Sequence, residues 1–455
     1  MLRNKYGRRT FVKATAGVFA MGAASPLIRA ASPNSKLNHA VIGVGGMGGV
    51  DRQNFAGHEH VRIAALCDVD RSRLDGAGND HPEATKYDDW RELIEAEGDK
   101  IDMANASVPD HMHFPIAMAL IRKGKHVYCQ KPMCHDVAEV RALTQAAADA
   151  GVHTQLGTQA ASTTGSRMAE HYIREGVIGK IQRVVLCSNR PGAIEAYRLE
   201  GPRPATADPI PENLNWDLWL GTAPERHFNN GIYHSMKWRA WQDFGTGWSG
   251  DIGCHLMHAP WVSLGLRAPS KVTARVQESW QRSPDRRRDT WPQSDHIVWT
   301  FPGNELTDGD IEMDWYDGHF YPPEEVLAMA PSENYPPESA LWLGTEGALL
   351  LPNGGAPMLL PREQFREQPR PELPAGHHYH DFVDAIRAGE TSRSDFSISG
   401  PMSETVLLGT VAIRVPDVDL TWDATALRFP YNPEADHYLR RSYRAGWEVP
   451  GFASA

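Results

Sequence analysis

The feature that most constrains the fold is a glycine-rich turn that directly follows a short apolar run. The run Ala40–Ile42 leads into Gly43-Val44-Gly45-Gly46-Met47-Gly48, which has the spacing G-x-G-x-x-G. In such a turn the first glycine permits a tight bend, the second lets a pyrophosphate approach the backbone, and the third lets the next helix pack against the strand. The pattern predicts a dinucleotide-binding unit whose backbone contacts come from these loop residues: Gly43, Gly45, Gly46, Met47 and Gly48.

An acid at the end of the second strand-like run predicts which dinucleotide is bound. The run Val61–Cys67 ends at Asp68, 20 residues after Gly48. A carboxylate at this distance accepts hydrogen bonds from ribose hydroxyls and repels a 2′-phosphate, so Asp68 favours NAD over NADP. Arg71 and Arg73 lie just beyond it. Because a guanidinium can hold a phosphate, these arginines leave NADP as the alternative.

Alternating strand-like and helical segments extend this unit over residues 37–158. Strands that alternate with helices in this way predict a doubly wound parallel sheet, the Rossmann fold. Ligands bind outside the carboxyl ends of such strands. The predicted segments are strands at 101–106, 126–129 and 152–156, and helices at 90–96, 114–123 and 137–150.

Two motifs lie in the loops after the fourth and fifth strands. Pro109 to His113 has the pattern P-x-x-x-H, and Gly124 to Pro132 has the pattern G-K-H-V-x-x-x-K-P. With the glycine turn, these motifs resemble the Gfo/Idh/MocA oxidoreductase family, named for glucose–fructose oxidoreductase and inositol dehydrogenase, over about residues 38–450. The resemblance implies cofactor contacts from Pro109, His113 and Lys131. The family usually has glutamate where this chain has Gln130, so a charge beside the lysine is missing.

The second half carries a pair of titratable residues at helical spacing. Asp251 and His255 are four residues apart, which places both on one face if a helix begins near Asp251. The resemblance implies that Lys131, Asp251 and His255 are catalytic and face a sugar. An alternative for Asp251 is a helix N-cap. Substrate contacts are also expected from four further residues: His111, Trp238, Arg239 and His258.

The residue types suggest how these groups share the chemistry. Oxidising a secondary alcohol requires a base for the hydroxyl proton, and His255 is favoured because an unperturbed imidazole has a pKa of about 6.5. Lys131 is expected to donate to the reacting oxygen. His258 stands three residues after His255, where the family commonly has aspartate. This spacing suggested a metal site, but a dehydrogenase needs none, and we predict no metal.

The chain is expected to comprise a leader, two domains and a tail. Arg8-Arg9-Thr10-Phe11-Val12-Lys13 and the small residues after it predict a twin-arginine signal peptide over residues 1–31, and therefore a periplasmic or extracellular protein. The Rossmann domain is followed by an α+β domain over 159–430. By resemblance this domain holds an open, mostly antiparallel sheet, with helix 404–414 packed back on the first domain. Residues 431–455 form a tail.

Composition excludes several classes of partner. The formal charge of −11 argues against a nucleic-acid surface. No apolar run reaches the roughly 18 residues of a membrane span. The family resemblance implies a homodimer or homotetramer that forms through the C-terminal sheet.

Export restricts the reaction, because free nicotinamide is scarce outside the cytoplasm. The chain is therefore predicted to carry tightly bound NAD and to transfer hydride to or from a secondary hydroxyl of a sugar, polyol or glycoside. One alternative is redox-neutral glycoside cleavage through a transient 3-keto sugar. A second alternative is a non-catalytic sugar or cofactor sensor.

Overall fold

The computed structural model describes residues 36–189, 202–234, 236–329 and 335–453. The predicted signal peptide, residues 1–31, lies outside the described residues. The described chain forms two sheets, each covered by helices.

The first sheet is fully parallel, with the strand order β3-β2-β1-β4-β5-β6. The order reverses between β1 and β4, which opens a crevice at their carboxyl ends. Residues of these strands are mostly apolar and buried, as expected where helices cover both faces. The strands are β1 (Leu37–Ile42), β2 (Val61–Cys67), β3 (Thr85–Tyr87), β4 (Met103–Ala106), β5 (His126–Cys129) and β6 (Thr154–Leu156), and the helices are α1 (Met47–Ala56), α2 (Arg71–Asp80), α3 (Trp90–Glu97), α4 (His113–Arg122) and α5 (Val137–Ala150).

Helix α2 and strand β3 were missed by the sequence analysis. Helix α2 buries only Leu74 and Ala77 and contains two glycines, so its apolar periodicity is weak. Its start is nevertheless specified locally, because the Asp70 side chain accepts a hydrogen bond from Ser72 N at 3.1 Å.

The second sheet is open and mostly antiparallel, as predicted. Its order is β13-β12-β11-β7-β10-β9-β8-β14, and only β7 and β10 pair in parallel within the described residues. Its strands are β7 (Ile181–Ser188), β8 (Lys271–Val276), β9 (Asp295–Phe301), β10 (Thr307–Asp317), β11 (Glu338–Gly344), β12 (Ala348–Pro352), β13 (Met358–Leu360) and β14 (Leu420–Thr421). The remaining helices are α6 (Thr164–Arg174), α7 (Trp216–Leu220), α8 (Gly247–Leu264), α9 (Glu278–Gln281), α10 (Pro284–Asp289), α11 (Glu324–Leu327), α12 (His378–Ala388), α13 (Phe396–Arg414) and α14 (Pro433–Asp436).

Helix α8 begins at Gly247 rather than near Asp251. Thr246 occupies the N-cap position, so Asp251 lies inside the helix and is not its cap. Glycines among its first residues weaken the apolar periodicity that marks a helix, so its start is not evident from the sequence. They permit close packing: a Cβ at Gly250 would stand 2.3 Å from Thr246 Oγ1, and one at Gly253 would stand 3.2 Å from a Val406 methyl group.

Helix α13 begins eight residues earlier than expected, and it contacts helix α5 of the first domain. Arg141 of α5 donates to Glu404 of α13, with Nε 2.8 Å from Oε2. Among the described residues α13 is the one helix long and apolar enough to cross a membrane, and 83% of that stretch is buried inside the protein. Its apolar surface is therefore core surface.

Candidate functional site

The glycine turn is fixed by close backbone approaches at the end of β1. Gly43 has a φ of 84°, and a Cβ there would stand 2.2 Å from Ser107 O. A Cβ at Gly48 would stand 2.0 Å from Gly43 O. A side chain at either position would displace the backbone. The turn therefore requires glycine at Gly43 for the tight bend and at Gly48 for the close packing of helix α1.

A cavity of about 390 Å³ opens above this turn, at the carboxyl ends of β1 and β4. The N-terminus of α1 faces it, and its N-cap, Gly46, offers no side chain to bond the first amides. Exposed amides at a helix N-terminus are suited to a pyrophosphate. Predicted residues that line the cavity are Gly43, Gly45, Gly46, Met47, Asp68, Pro109, Lys131, Trp238 and Arg239.

Asp68 stands at the end of β2, where its carboxylate caps the turn. Its Oδ2 accepts from Val44 N at 3.0 Å, and its Oδ1 accepts from Asp70 N at 2.9 Å. Burial raises the pKa of Asp68, while these two backbone donors oppose the rise. The donor set and the cavity fit a dinucleotide whose ribose binds this carboxylate.

The two arginines beyond Asp68 have different surroundings. Arg71 pairs with Asp88 at 2.5 Å and is not among the residues that line the cavity. The Arg73 side chain lies over the turn: a Cβ at Gly45 would stand 2.5 Å from Arg73 Cδ. Arg73 lines the cavity and pairs with Asp70, with Nε 3.4 Å from Oδ2.

The opposite end of the cavity holds a lysine paired with the second domain. Lys131 Nζ donates to Asp251 Oδ1 in a short hydrogen bond and lies 3.1 Å from Asp251 O. Asp251 Oδ2 lies 3.3 Å from Arg239 Nε. The Lys131 and Asp251 side chains are only 12% and 6% exposed, so this pair is poorly screened by water. One carboxylate therefore holds two cations at the cavity wall.

His255 is half-buried one helical turn beyond Asp251. Burial first, and then the charge of Lys131, lowers the pKa of His255 to about 3. The imidazole is therefore neutral at pH 7, rather than poised near its unperturbed value as the sequence analysis supposed. A neutral ring offers one nitrogen as acceptor and one as donor.

Asp110 is a cavity residue that the sequence analysis passed over in favour of the neighbouring histidines. It lies just after β4 and is 1% exposed. Its Oδ2 accepts from Thr246 N at 3.1 Å and from Thr246 Oγ1 at 3.0 Å. Burial raises the pKa of Asp110 to about 7, with a further contribution from the Asp251 charge. Its position at the carboxyl end of a parallel strand was the signal that could have found it.

Gln130 takes part in a buried network that restores the charge missing from the family pattern. Its Nε2 donates to both oxygens of Asp51, at 2.9 and 3.0 Å. Ser107 and Tyr379 also donate to this carboxylate, at 2.6 and 2.8 Å. Burial raises the pKa of Asp51 to about 6, and the three donors oppose the rise. The negative charge is displaced onto Asp51 rather than lost.

Asp251 and His255 are not among the residues that line the cavity, and three further predicted residues, all histidines, also lie outside this lining. His111 is fully buried, with its ring nitrogens 3.3 Å from Phe244 O and 3.2 Å from Trp219 O. His113 lies between Pro132 O and Val108 O, at 2.7 and 2.8 Å, so it ties the Lys131 loop to the loop after β4.

The third, His258, is 1% exposed and contacts Ser394 Oγ at 3.3 Å. It shares helix α8 with His255 but is covered by α13 and the loop that precedes it. Across the described residues no group of three or more His, Cys, Asp or Glu is arranged to hold a metal ion.

The fold and the site together define a class of protein. A Rossmann sheet offers a cradle for a dinucleotide, and a second domain brings a carboxylate and an imidazole to a lysine at the edge of that cradle. This arrangement is that of a two-domain NAD-binding oxidoreductase.

Comparison with protein families identifies the family. Residues 37–158 match the model for the NAD-binding Rossmann fold of the oxidoreductase family, and residues 163–291 match the model for its C-terminal alpha/beta domain. The chain belongs to the Gfo/Idh/MocA oxidoreductase family.

Individual relatives are similar over shorter stretches. A levoglucosan dehydrogenase from Pseudarthrobacter phenanthrenivorans is 32% identical over 93 residues, which are 20% of this chain and 23% of the relative. A glycosyl hydrolase family 109 protein from Solibacter usitatus is 29% identical over 160 residues, 33% of this chain and 36% of the relative. The matched segments thus span about a quarter to a third of these curated relatives.

Solved structures share the fold over most of this chain. The WlbA dehydrogenase from Bordetella pertussis, crystallised with NADH and UDP-GlcNAcA, has a TM-score of 0.60 at 15% identity. The match covers 86% of this chain and 98% of that chain. At this identity the likeness establishes the fold.

Proposed function

We propose that this protein is an NAD-dependent oxidoreductase that transfers hydride between a tightly held nicotinamide cofactor and a secondary hydroxyl of a sugar or polyol. The observation that carries the proposal is the Lys131 ammonium, held by Asp251 at the wall of the glycine-turn cavity. Burying a cation costs free energy, and a buried charge in a cavity is often functional. Here the ammonium lies close to the expected position of a substrate oxygen beside the cofactor.

The residues that would hold the cofactor are those of the turn and of the end of β2. Gly45, Gly46 and Met47 offer amides to the pyrophosphate, and Asp68 accepts from the ribose. The nicotinamide, when bound, supplies the acceptor for two electrons and a hydrogen from the substrate carbon. Asp68 favours NAD, and Arg73 keeps NADP as the alternative.

Lys131 and Asp251 orient the substrate oxygen and stabilise its charge. The Lys131 ammonium has three N–H donors, and its contacts with Asp251 engage two of them. The third donates a hydrogen bond to the hydroxyl that is being oxidised. As that oxygen loses its proton, the fixed positive charge stabilises the developing negative charge. Asp251, which is also paired with Arg239, holds this ammonium in place before the substrate arrives.

His255 acts as the acceptor of the hydroxyl proton in this arrangement. Its neutral ring offers a nitrogen that accepts a proton. A pKa of about 3 makes this nitrogen a weak base, so the transfer depends on Lys131 lowering the pKa of the substrate hydroxyl. Export by the twin-arginine route would carry the folded protein with its cofactor already inside.

A second candidate, redox-neutral glycoside cleavage, is favoured by a specific feature of the cavity. Cleavage needs an additional acid or base for the leaving oxygen, and Asp110 supplies an additional carboxyl group. The similarity to a glycosyl hydrolase family 109 protein over 160 residues points the same way.

The test is an absorbance measurement near 340 nm on the purified protein, with its bound cofactor, during addition of sugars and polyols. Wild type is expected to show a rise as the cofactor is reduced. Lys131→Ala is expected to lose at least a hundredfold in the rate of that rise while still binding NAD. Lys86→Ala, which removes an exposed lysine paired with Asp75, is the matched control and should keep the wild-type rate.

Two results would overturn the proposal. Wild-type rates in Lys131→Ala would remove the lysine from the chemistry. Wild-type protein that binds sugars but neither changes its absorbance nor forms a product would instead identify a non-catalytic sensor.

A further inference from the structure

We propose that Asp110 is the proton donor to the oxygen that leaves when this protein cleaves a glycosidic bond. The inference rests on the proposed function, since oxidation of the sugar must precede cleavage. It deepens that function in two ways. It names glycosides as the substrate class, and it gives a chemical role to a residue other than Lys131, Asp251 and His255.

The placement of Asp110 supports a reactive role. The residue lines the cavity that also contains Lys131 and Arg239, although its side chain is almost fully buried. Thr246 donates to Oδ2 through both its amide and its hydroxyl. Among the described residues no hydrogen bond engages Oδ1, so one carboxyl oxygen is held in position and the other is left for a ligand.

The charges around Asp110 suit a proton donor. Burial and the Asp251 carboxylate favour its protonated form, while Arg239, His135 and Lys131 oppose it. The balance places its pKa at about 7. A group with a pKa near the working pH is effective both in giving a proton and in taking it back.

The reaction balances with one proton moving through Asp110. Oxidation at C3 makes the C2 hydrogen acidic; that proton leaves to water, a double bond forms between C1 and C2, and the C1–O bond breaks. Asp110 gives its proton to the departing oxygen, which leaves as an alcohol. A water then adds its oxygen to C1 and gives a proton to the Asp110 carboxylate, and C2 regains a proton from water. C3 regains the hydride, and its oxygen regains the proton, that the oxidation had removed.

The discriminating experiment compares leaving groups in Asp110→Asn. Methyl and 4-nitrophenyl glycosides of both anomers of common hexoses are supplied in matched pairs to the holoenzyme, and the released alcohol is measured. A good leaving group departs without help from an acid, whereas a poor one does not. Asp110→Asn is expected to lose at least a hundredfold more rate with the methyl glycosides than with the nitrophenyl glycosides.

A control separates proton donation from the structural contact. Thr246→Val removes one hydrogen bond to Asp110 but keeps the carboxyl group, so its ratio of rates for the two leaving groups should match that of wild type. An equal loss for both leaving groups in Asp110→Asn would overturn the inference and leave Asp110 as a structural contact between the domains.

The absorbance near 340 nm is followed in the same reactions. This measurement distinguishes a failure of the oxidoreductase proposal from a failure of the role proposed for Asp110. Wild type that reduces its cofactor on glycosides but releases no alcohol would overturn the role of Asp110 and leave the oxidoreductase proposal intact. Wild type that neither reduces its cofactor nor releases alcohol would overturn both.

Discussion

Replacing Gln130 with glutamate should destabilise the protein, although glutamate is the usual residue at this position in the family. Gln130 donates to both oxygens of Asp51, which is fully buried in this structure. Glutamate would put a second carboxylate against the first, at a distance where both cannot remain ionised. The native state of Gln130→Glu would therefore bind a proton that the unfolded chain releases.

The magnitude follows from the retained proton. Unfolded glutamate has a pKa of about 4.3, and each pH unit above it costs about 1.36 kcal/mol while the native pair keeps its proton. At pH 7.5 the free energy of unfolding should fall by about 4 kcal/mol. Because the folded pKa is raised, the loss grows as pH rises and disappears near pH 4. Wild-type Asp51, with a pKa of about 6, contributes no such slope above pH 7.

The assay is urea unfolding followed by tryptophan fluorescence at several pH values between 5 and 8. The double variant Asp51→Asn with Gln130→Glu is the matched control, because it reverses the direction of the hydrogen bond and should recover most of the lost stability. A stability of Gln130→Glu within about 1 kcal/mol of wild type at pH 7.5, or a pH slope equal to that of wild type, would refute the reasoning.

Two further substitutions test the site. Asp251→Asn would leave the Lys131 and Arg239 cations together without their carboxylate, and it should lower the free energy of unfolding by about 3–5 kcal/mol. Asp217→Asn breaks a pair in which the aspartate is 70% exposed and should cost under about 1 kcal/mol, and equal losses in the two variants would contradict the burial argument. Asp68→Ala should weaken NAD binding at least tenfold in a fluorescence titration, because a charged hydrogen bond to the ribose is lost, and unchanged affinity would place the ribose elsewhere.

The first domain was predictable because its determinants are local. The glycine turn, the acid at the end of β2 and the alternation of apolar segments all lie within short windows of sequence. Strands β2 and β5 and helix α5 have the predicted bounds. Helix α2 was missed because its few buried residues lie among glycines and polar residues.

The electrostatics of the site was not predictable in this way. From the sequence alone, His255 is expected to titrate near pH 6.5 and Gln130 is expected to mark a missing charge. The structure places His255 beside Lys131, which lowers its pKa, and places Asp51 against Gln130, which restores the charge. A pKa depends on burial and on neighbouring charges, and neither is written in the residue's own segment.

Spacing along the chain specifies the dinucleotide-binding turn, the parallel sheet around it and the lysine after β5. The contacts of that lysine depend instead on how the two domains pack together. Lys131 meets Asp251 across 120 residues of sequence, and Asp110 meets Thr246 across 136. Contacts at such separations form because helix α8 docks its N-terminus against the carboxyl ends of the Rossmann strands, and that docking depends on the packing of both domains.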